Sequence, residues 1–412
     1  MHDGLAIIVF SLTILGFGLL SRLFERMSVT GPMVAVSVGI LVGEVGYRTI
    51  EIELDPAFVE IIAELTLIII LFTDAARIRL SELVSHQTIP LRLLVIGMPL
   101  TLLAGVGAAM LLFPGLDFWV FFLLAALLTP TDAALGEAVV TNRRIPLATR
   151  QSINAESGLN DGLALPAVLL FLELSNLFGK GYISVGLDAA EWRQFLVSQL
   201  VLGPVAGIGV GVFGGLLLDA SAHRGWMEPT FQRLAAPALA LLSYGIADLI
   251  GGNGFIAAFS AGLFLVAGHP DIRRRIDDFG KAEGEQLSLL TFLIFGAAIV
   301  PLVLDSMTWQ TLVYAGLSLT VIRMVPVWLS LLFSGLKNRD KLFIGWFGPR
   351  GIASILFLFI IFDDVDFLFF DRVIAVVVAT VLMSIYLHGL SSRPLAHWYG
   401  RWKESLLPEP PR

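Results

Sequence analysis

Residues 118–134 read FWVFFLLAALLTPTDAA, and this stretch decides the fold. Residues 118–128 of this stretch are all apolar, which predicts a helix buried in lipid. Pro130 removes one helical hydrogen bond and disfavours helix at Thr129, so the helix is predicted to unwind there. Asp132 follows at membrane depth, where an ionisable side chain is costly and is a functional candidate by default.

The composition of the whole chain agrees with a lipid environment. The 412 residues are 56% hydrophobic and only 15% charged, and the mean hydropathy is +0.84. Soluble domains carry about 25% charged residues, so the bilayer is the expected solvent. The chain has no cysteine, which excludes disulfides, iron–sulfur clusters and thiol catalysis. No resident cofactor is expected.

Apolar runs of about 20 residues recur along the chain and predict an all-α polytopic membrane protein with about thirteen transmembrane helices. The approximate spans are 4–21, 31–47, 57–75, 88–113, 117–140, 147–178, 195–219, 231–250, 254–268, 284–304, 309–335, 340–362 and 371–392. Longer polar connections are predicted at 178–194, 219–230 and 269–283. The tail from Arg393 is expected to be an unfolded end.

Positive charge is unevenly distributed between the two ends of these spans. With the N-terminus placed outside, the outer side keeps only Arg48, Lys180, Arg193 and Arg372, and most of the other Lys and Arg fall on the opposite side. This is the positive-inside pattern, and one missed or extra span would invert half of it. We therefore expect a multi-pass protein of the cell (inner) membrane with its N-terminus outside and its C-terminus in the cytoplasm.

An odd number of spans leaves room for two six-helix halves around a central helix near 195–219. Such halves are expected to be inverted repeats, the common plan of secondary transporters. The fifth span of the first half carries the interruption at 129–132, and the fifth span of the second half carries Gly-Pro-Arg-Gly at 348–351. Paired interruptions of this kind predict where a transporter binds its substrate.

The strongest polar cluster lies in the sixth span, where residues 155–162 read AESGLNDG. Ser157 and Asp161 share one face of a helix because they are four residues apart, and Glu156 and Asn160 share the next face. One face can therefore offer a hydroxyl and a carboxylate to an ion, while the other anchors the helix to a partner. Two carboxylates this close at membrane depth favour chemistry over a purely structural polar network.

Arg350 also falls inside a predicted span and needs a buried counter-charge. Glu156 is its predicted partner, which would leave Asp161 free to exchange a proton for an ion. The alternative is an arginine that reaches the cytoplasmic interface beside Lys341.

Three further charged residues each allow more than one interpretation. Arg323 is expected to pair with Asp248 or Glu285, or to approach the interface. Asp74 ends the third span and is predicted either as an acid of a cation funnel or as an ordinary helix-end carboxylate. Asp132 can also be the carboxylate at the end of a proline-kinked helix.

These motifs together are similar to those of a known family. The chain resembles the NhaP-like branch of the monovalent cation:proton antiporters in Thr131-Asp132, in the stretch ESGLNDG at 156–162 and in GPRG at 348–351. The order of the spans and the chain length match over essentially the whole chain. Two departures are Asp132-Ala133, where the family often has Asp-Pro, and Asp74-Ala75, where it often has an acidic residue before glycine.

The resemblance implies how the ion site is built. Asp161 is the carboxylate that the cation and the proton share. Asp132, the main chain at Thr131 and the hydroxyl of Ser157 are further parts of that site.

The resemblance also implies a frame around the site. Glu156 and Arg350 form a structural ion pair, and Asn160 and Thr129 support the crossing helices. Asn160 stands where electrogenic relatives carry a second Asp, which implies electroneutral exchange.

The family fold is a homodimer of thirteen-helix protomers. By this likeness the ion-binding core is expected within 88–178 and 309–392, and the dimerisation scaffold within 1–75 and 195–304.

The expected activity is exchange of Na⁺, or of Li⁺ or K⁺, for H⁺ by alternating access. Burial penalises the ionised form of a carboxyl, so a proton and a cation would compete for Asp161. A passive cation channel is the leading alternative, but it needs a selectivity filter, and no carbonyl-filter motif occurs. An intramembrane hydrolase is less favoured, because the sequence has no metal-ligand histidine spacing and no Gly-x-Ser-x-Gly motif. We therefore expect a transporter rather than an enzyme.

Overall fold

A computed structural model of the chain describes residues 2–43, 45–46, 56–78, 88–179, 197, 201–265, 270–361 and 367–406. Within these residues the structure is all-helical, and helix coincides with each of the thirteen predicted spans. In chain order the helices are α1 His2–Arg26, α2 Gly31–Val42, α3 Pro56–Ala76, α4 Thr88–Arg92, α5 Met98–Leu112, α6 Phe118–Leu127, α7 Glu137–Val140, α8 Leu147–Gly179, α9 Gly203–His223, α10 Pro229–Leu249, α11 Gly254–Leu263, α12 Pro270–Ile294, α13 Val300–Leu302, α14 Trp309–Leu319, α15 Val321–Ser330, α16 Asn338–Trp346, α17 Ile352–Ile361 and α18 Phe367–Glu404. Seven helical stretches of the described chain are long and apolar enough to cross a membrane, and shorter apolar helices accompany them.

Both predicted interruptions are present. In the first, α6 ends at Leu127 and the chain continues without helix to a 3₁₀ turn, Ala133–Gly136. In the second, α16 ends at Trp346 and α17 begins at Ile352. Helices α6 and α17 have 10 residues each, so each is about 15 Å long and covers half of a bilayer core. The two breaks therefore meet in the middle of the molecule.

The long helix α8 packs between the two interrupted segments and the other helices. It contacts α6 along one side and α3 and α11 along another, and α17 lies against both α3 and α8. Small residues allow the close approaches: a Cβ on Gly262 of α11 would overlap the main chain of Phe72 in α3. The result is a continuous apolar core around α8, which holds its polar residues in place.

Two predicted boundaries are wrong. The connection expected at 269–283 is helical, because α12 begins at Pro270 rather than near residue 284. The tail from Arg393 is not an unfolded end, since α18 continues through Pro394 to Glu404. Its last turns bury Ala396 and Tyr399 in a small apolar cluster with Val139, Ile153 and Phe347, and this burial compensates for the backbone hydrogen bond that the proline removes. The part of the predicted connection 178–194 beyond Gly179 and the last six residues lie outside the described residues.

The end of α18 is also fixed by charge. Asp340 of α16 is 2% exposed, and its Oδ1 accepts hydrogen bonds from the hydroxyl of Tyr399 and from Nζ of Lys403 at 2.8 Å. The backbone N–H of Lys337 donates to its other oxygen at 3.1 Å. The C-terminal helix is thereby tied to the helix that precedes the second interruption.

Candidate functional site

The unwound segments pass one another and bond directly. The backbone N–H of Asp132 donates to the carbonyl of Pro349 at 2.8 Å, and Oδ2 of Asp132 accepts from the N–H of Ile352 at 3.1 Å. Oδ1 of the same carboxylate accepts from the N–H of Ala134 at 2.9 Å. Asp132 thus lies at the N-termini of two helical segments, where unpaired N–H groups and the helix dipole favour negative charge. Its predicted place at the crossing is what the structure shows, and both of its oxygens are engaged there by main chain.

Gly351 explains how the two segments come so close. A Cβ on this residue would overlap the carboxylate of Asp132, so only glycine leaves room for the crossing.

Arg350 lies at the C-terminal end of α6, where it neutralises the negative end of the helix dipole. It is fully buried, and its Nη1 donates to the carbonyls of Thr129 at 2.8 Å and Pro130 at 3.0 Å. These carbonyls follow the C-terminus of α6, where cations are favoured. The hydroxyl of Ser354 donates to the carbonyl of Leu127 at 2.7 Å and completes the cap of this helix. Arg350 therefore does not snorkel to the interface beside Lys341.

The predicted ion pair between Glu156 and Arg350 is not present among the described residues. Glu156 pairs instead with Arg323 of α15 through two bonds, Nη1 to Oε1 at 2.6 Å and Nη2 to Oε2 at 2.8 Å. Both side chains are at most 3% exposed. The prediction for Arg323 is also corrected, since its partner is neither Asp248 nor Glu285. The reason is helix orientation: α15 turns Arg323 toward α8, whereas Arg350 lies along the unwound segment after α6.

Gly348 lies directly against this ion pair. A Cβ there would overlap the guanidinium of Arg323, so the second interruption rests on the pair. The sequence did not predict this contact. The only sign of it in the sequence is the glycine that begins the Gly-Pro-Arg-Gly motif.

Ser157 and Asn160 hold the first unwound segment onto α8. The hydroxyl of Ser157 donates to the carbonyl of Thr131 at 2.6 Å and accepts from the N–H of Ala133 at 2.9 Å. The side-chain amide of Asn160 donates to Oγ1 of Thr131 at 2.7 Å, and its oxygen accepts from the N–H of Thr131 at 3.3 Å. Main-chain groups freed by Pro130 are thereby satisfied, as buried polar groups require. Thr129 takes part through its carbonyl, while its hydroxyl bonds within α6, to the carbonyl of Ala125.

Asn160→Ala is expected to destabilise the protein by about 1–3 kcal/mol, because it leaves the buried N–H and hydroxyl of Thr131 without their partner. The measurement is thermal unfolding of the purified protein in detergent. Asn154→Ala is the matched control, since Asn154 is exposed on the same helix. Equal melting temperatures for the two variants would contradict this role of Asn160.

Asp161 differs from every carboxylate described above. It is 6% exposed, and its Oδ1 has no hydrogen-bond partner among the described residues. Asp132, Ser157 and Asp161 line one cavity of about 960 Å³. A buried carboxylate without a donor is costly, and a proton or a bound cation removes that cost.

The cavity connects this site to one end of the molecule. Its wall includes Arg77 and Arg150, near the ends of α3 and α8 that the positive-inside pattern assigns to the cytoplasm. Asp74 also lines the cavity, and its Oδ1 accepts a hydrogen bond from Nη1 of Arg77 at 2.9 Å. Asp74 is thus both a wall residue and a helix-end carboxylate with a local partner. No group of acidic or histidine residues suited to hold a resident metal ion occurs in the part of the chain that the structure describes.

Comparison with known proteins gives a family match over most of the chain. The model of a family described as sodium/hydrogen exchanger, transmembrane, matches residues 8–398. The K⁺/H⁺ antiporter NhaP of Alkalimonas amylolytica is 28% identical over 406 residues, which are 94% of this chain and 67% of that protein. The K⁺/H⁺ antiporter NhaP2 of Shewanella sp. (strain MR-4) is 28% identical over 344 residues, 82% of this chain and 57% of the relative. This chain therefore spans about two thirds or less of the length of these relatives.

The fold has a solved counterpart. The sodium proton antiporter MjNhaP1 from Methanocaldococcus jannaschii, solved at pH 8, superposes with a TM-score of 0.75 at 23% identity and covers 99% of this chain and 100% of that one. The likeness confirms the polytopic all-α fold. The family match covers nearly the whole chain and confirms the expected resemblance: this protein belongs to the sodium/hydrogen exchanger family of membrane transporters.

Proposed function

We propose that this protein exchanges a monovalent cation for protons at Asp161 by alternating access. The observation that carries the proposal is the carboxylate of Asp161, which is buried and lies at the inner end of an open cavity. Its Oδ1 has no hydrogen-bond donor in the part of the chain that the structure describes. A proton or a dehydrated cation neutralises it, but not both at once. Crossing the membrane with the bare charge is disfavoured, so transport is obligatory exchange rather than leak.

The groups near Asp161 suit a hard monovalent cation. Oxygen ligands are available from the carboxylate itself, from the carbonyl of Thr131 and from the hydroxyl oxygen of Ser157. Ser157 already donates one hydrogen bond and accepts one, so its oxygen keeps one further lone pair for an ion. Asp132 is proposed to belong to the same ion site, where it lines the cavity and supplies negative charge while its two oxygens accept backbone N–H groups.

Two bundles are proposed to move against each other. The expected core within 88–178 and 309–392 contains both interruptions and α8, whereas the expected scaffold within 1–75 and 195–304 contains α3 and α11. Contacts of α2 with α12 and of α9 with α11 lie inside the scaffold, and contacts of α6 with α8 and of α14 with α18 lie inside the core, which supports this division.

The proposed orientation and assembly follow from the charge pattern and the family resemblance. The N-terminus is outside and the C-terminus cytoplasmic in the cell (inner) membrane, so the cavity is open to the cytoplasm in this structure. The assembly is proposed to be a homodimer. Light scattering of the purified protein in detergent tests the mass, and reaction of a cysteine placed at the C-terminus of this cysteine-free chain tests the side.

The experiment that tests the activity is exchange in proteoliposomes. Vesicles loaded with Na⁺, K⁺ or Li⁺ are diluted into cation-free buffer, and a trapped pH dye follows the lumen. Exchange acidifies the lumen as the cation leaves, and an imposed membrane potential leaves the rate unchanged if exchange is electroneutral. A current without a coupled pH change would indicate a channel. The relatives are named as K⁺/H⁺ antiporters and as a probable Na⁺/H⁺ antiporter of Schizosaccharomyces pombe, so both ions are included.

A further inference from the structure

The residue after the central carboxylate is in direct contact with an aromatic ring. A Cβ on Gly162 of α8 would overlap the ring of Phe259, which lies on α11 and is 6% exposed. The ring therefore lies flat against the backbone of α8, one residue beyond Asp161. Neither residue belongs to the network that holds the crossing together.

This contact lies where the open cavity ends. The α8 residues that line the cavity run along one side of the helix and stop at Asp161: they are Leu147, Arg150, Gln151, Asn154, Ser157, Gly158 and Asp161. Beyond Asp161 the same side of α8 is buried, since Ala164, Leu165 and Val168 are at most 1% exposed. Phe259 is not part of the cavity wall. It touches α8 where the cavity-lining part of the helix ends and its buried part begins.

We propose that Phe259 is a gating residue that seals Asp161 from the side of the membrane opposite the cavity. The inference rests on the proposed exchange cycle, in which the site must open to only one side at a time. An apolar constriction excludes hydrated ions because they would have to lose water without compensation. Gly162 supplies the matching half of the contact, since a glycine lets the ring lie against the main chain and slide along it as α8 moves relative to α11.

The contact between Gly162 and the ring of Phe259 can be tested by changing the size of either side chain. Gly162→Ala adds a methyl group where the ring lies, and we expect it to lower exchange at least about tenfold in the proteoliposome assay. Phe259→Leu keeps an apolar side chain and is expected to retain coupled exchange. Gly162→Ala combined with Phe259→Ala removes the overlap, so the double variant should fold even if Gly162→Ala alone does not. If the double variant were as badly folded as Gly162→Ala, the ring would not be what the methyl group meets.

The seal itself is tested by thiol accessibility, which does not require transport. The chain has no cysteine, so Asp161→Cys provides a single thiol. A membrane-impermeant methanethiosulfonate reagent is applied from each side of oriented vesicles. From the cavity side, the thiol should react in the presence of either Phe259 or Phe259→Ala. From the opposite side, we expect Phe259→Ala to raise the reaction rate by about tenfold or more, and Phe259→Leu to leave it low.

An equally slow reaction from the opposite side in the Phe259→Ala background would overturn the gate, whatever the exchange assay shows. Failure of the unmodified protein to exchange any cation would overturn the proposed function instead. The two results are separate because the labelling reports only whether the reagent reaches the thiol at position 161.

Discussion

Asp161→Asn is expected to abolish cation–proton exchange while the protein folds normally. The amide keeps the shape of the carboxyl but can neither release a proton nor offer a charge to a cation. In the cation-bound state the carboxylate and the cation form a buried charge pair. Removing one member of such a pair costs about 3–5 kcal/mol, which is more than about a hundredfold in the cation's binding constant. The variant should also unfold at the same or a higher temperature than the natural chain, because Oδ1 of Asp161 has no hydrogen-bond donor among the described residues.

The measurement is the lumenal pH change of proteoliposomes after a cation gradient is imposed. Asp305→Asn makes the same chemical change at an exposed position after α13, on the opposite side of the membrane from the cavity in the proposed topology, and should keep the natural rate. If Asp161→Asn retained pH-dependent cation efflux, the carboxylate would not be the site of exchange.

Glu156→Gln is expected to produce the largest loss of stability. Glu156 is joined to Arg323 by bonds of 2.6 Å and 2.8 Å, and both side chains are almost fully buried. A neutral amide leaves the guanidinium of Arg323 without a counter-charge, which costs about 3–5 kcal/mol. Because Gly348 lies directly on this guanidinium, the loss should also disturb the second interruption and reduce exchange.

Thermal or denaturant unfolding in detergent measures this effect. Asp278→Asn is the matched control, since Asp278 forms an exposed pair with Arg274 at 4.0 Å, and exposed pairs contribute about 0–1 kcal/mol. Glu156→Leu combined with Arg323→Met removes both charges and should recover part of the stability. A double variant as unstable as Glu156→Gln would show that the charges are not the cause.

The sequence predicted the two interruptions because their causes are local. Pro130 and Pro349 break helices through covalent geometry, and Ser157, Asn160 and Asp161 fall on adjacent faces of one helix through its fixed periodicity. The structure shows that Asn160, on the face predicted to anchor α8, bonds to Thr131. Ser157, on the face predicted to offer a hydroxyl to an ion, also bonds to Thr131, a contact that the spacing did not predict. Whether Asp161 carries the exchange stays a prediction until the transport assay is done.

The ion-pair partner could not be predicted in the same way. Glu156 and Arg323 are 167 residues apart, and the choice between Arg323 and Arg350 depends on how α15 and the second unwound segment are rotated about their own axes. No pattern within one helix specifies that rotation. The pair of Asp74 with Arg77 is different, because a spacing of three residues on a helix already favours it.

The boundary errors also have a physical origin. A proline inside a helix often ends it, but α18 continues past Pro394 because Tyr399 and Trp402 pack in an apolar cluster with residues of α7, α8 and α16. The contact of Gly162 with Phe259 left no signal, since a glycine near a carboxylate fits many arrangements. Such contacts belong to tertiary packing, which overrides local preference.

The dependence of cation affinity on pH tests the central claim most directly. If a proton and a cation compete for the carboxyl of Asp161, the apparent KM for the cation should rise by about tenfold for each unit of pH below the range where the carboxyl loses its proton, while the maximal rate at saturating cation stays constant. The measurement is initial exchange rates in proteoliposomes over a series of cation concentrations at each pH. A KM that does not change with pH, with proton movement still coupled to the cation, would show that the two ions bind at separate sites and would contradict the account.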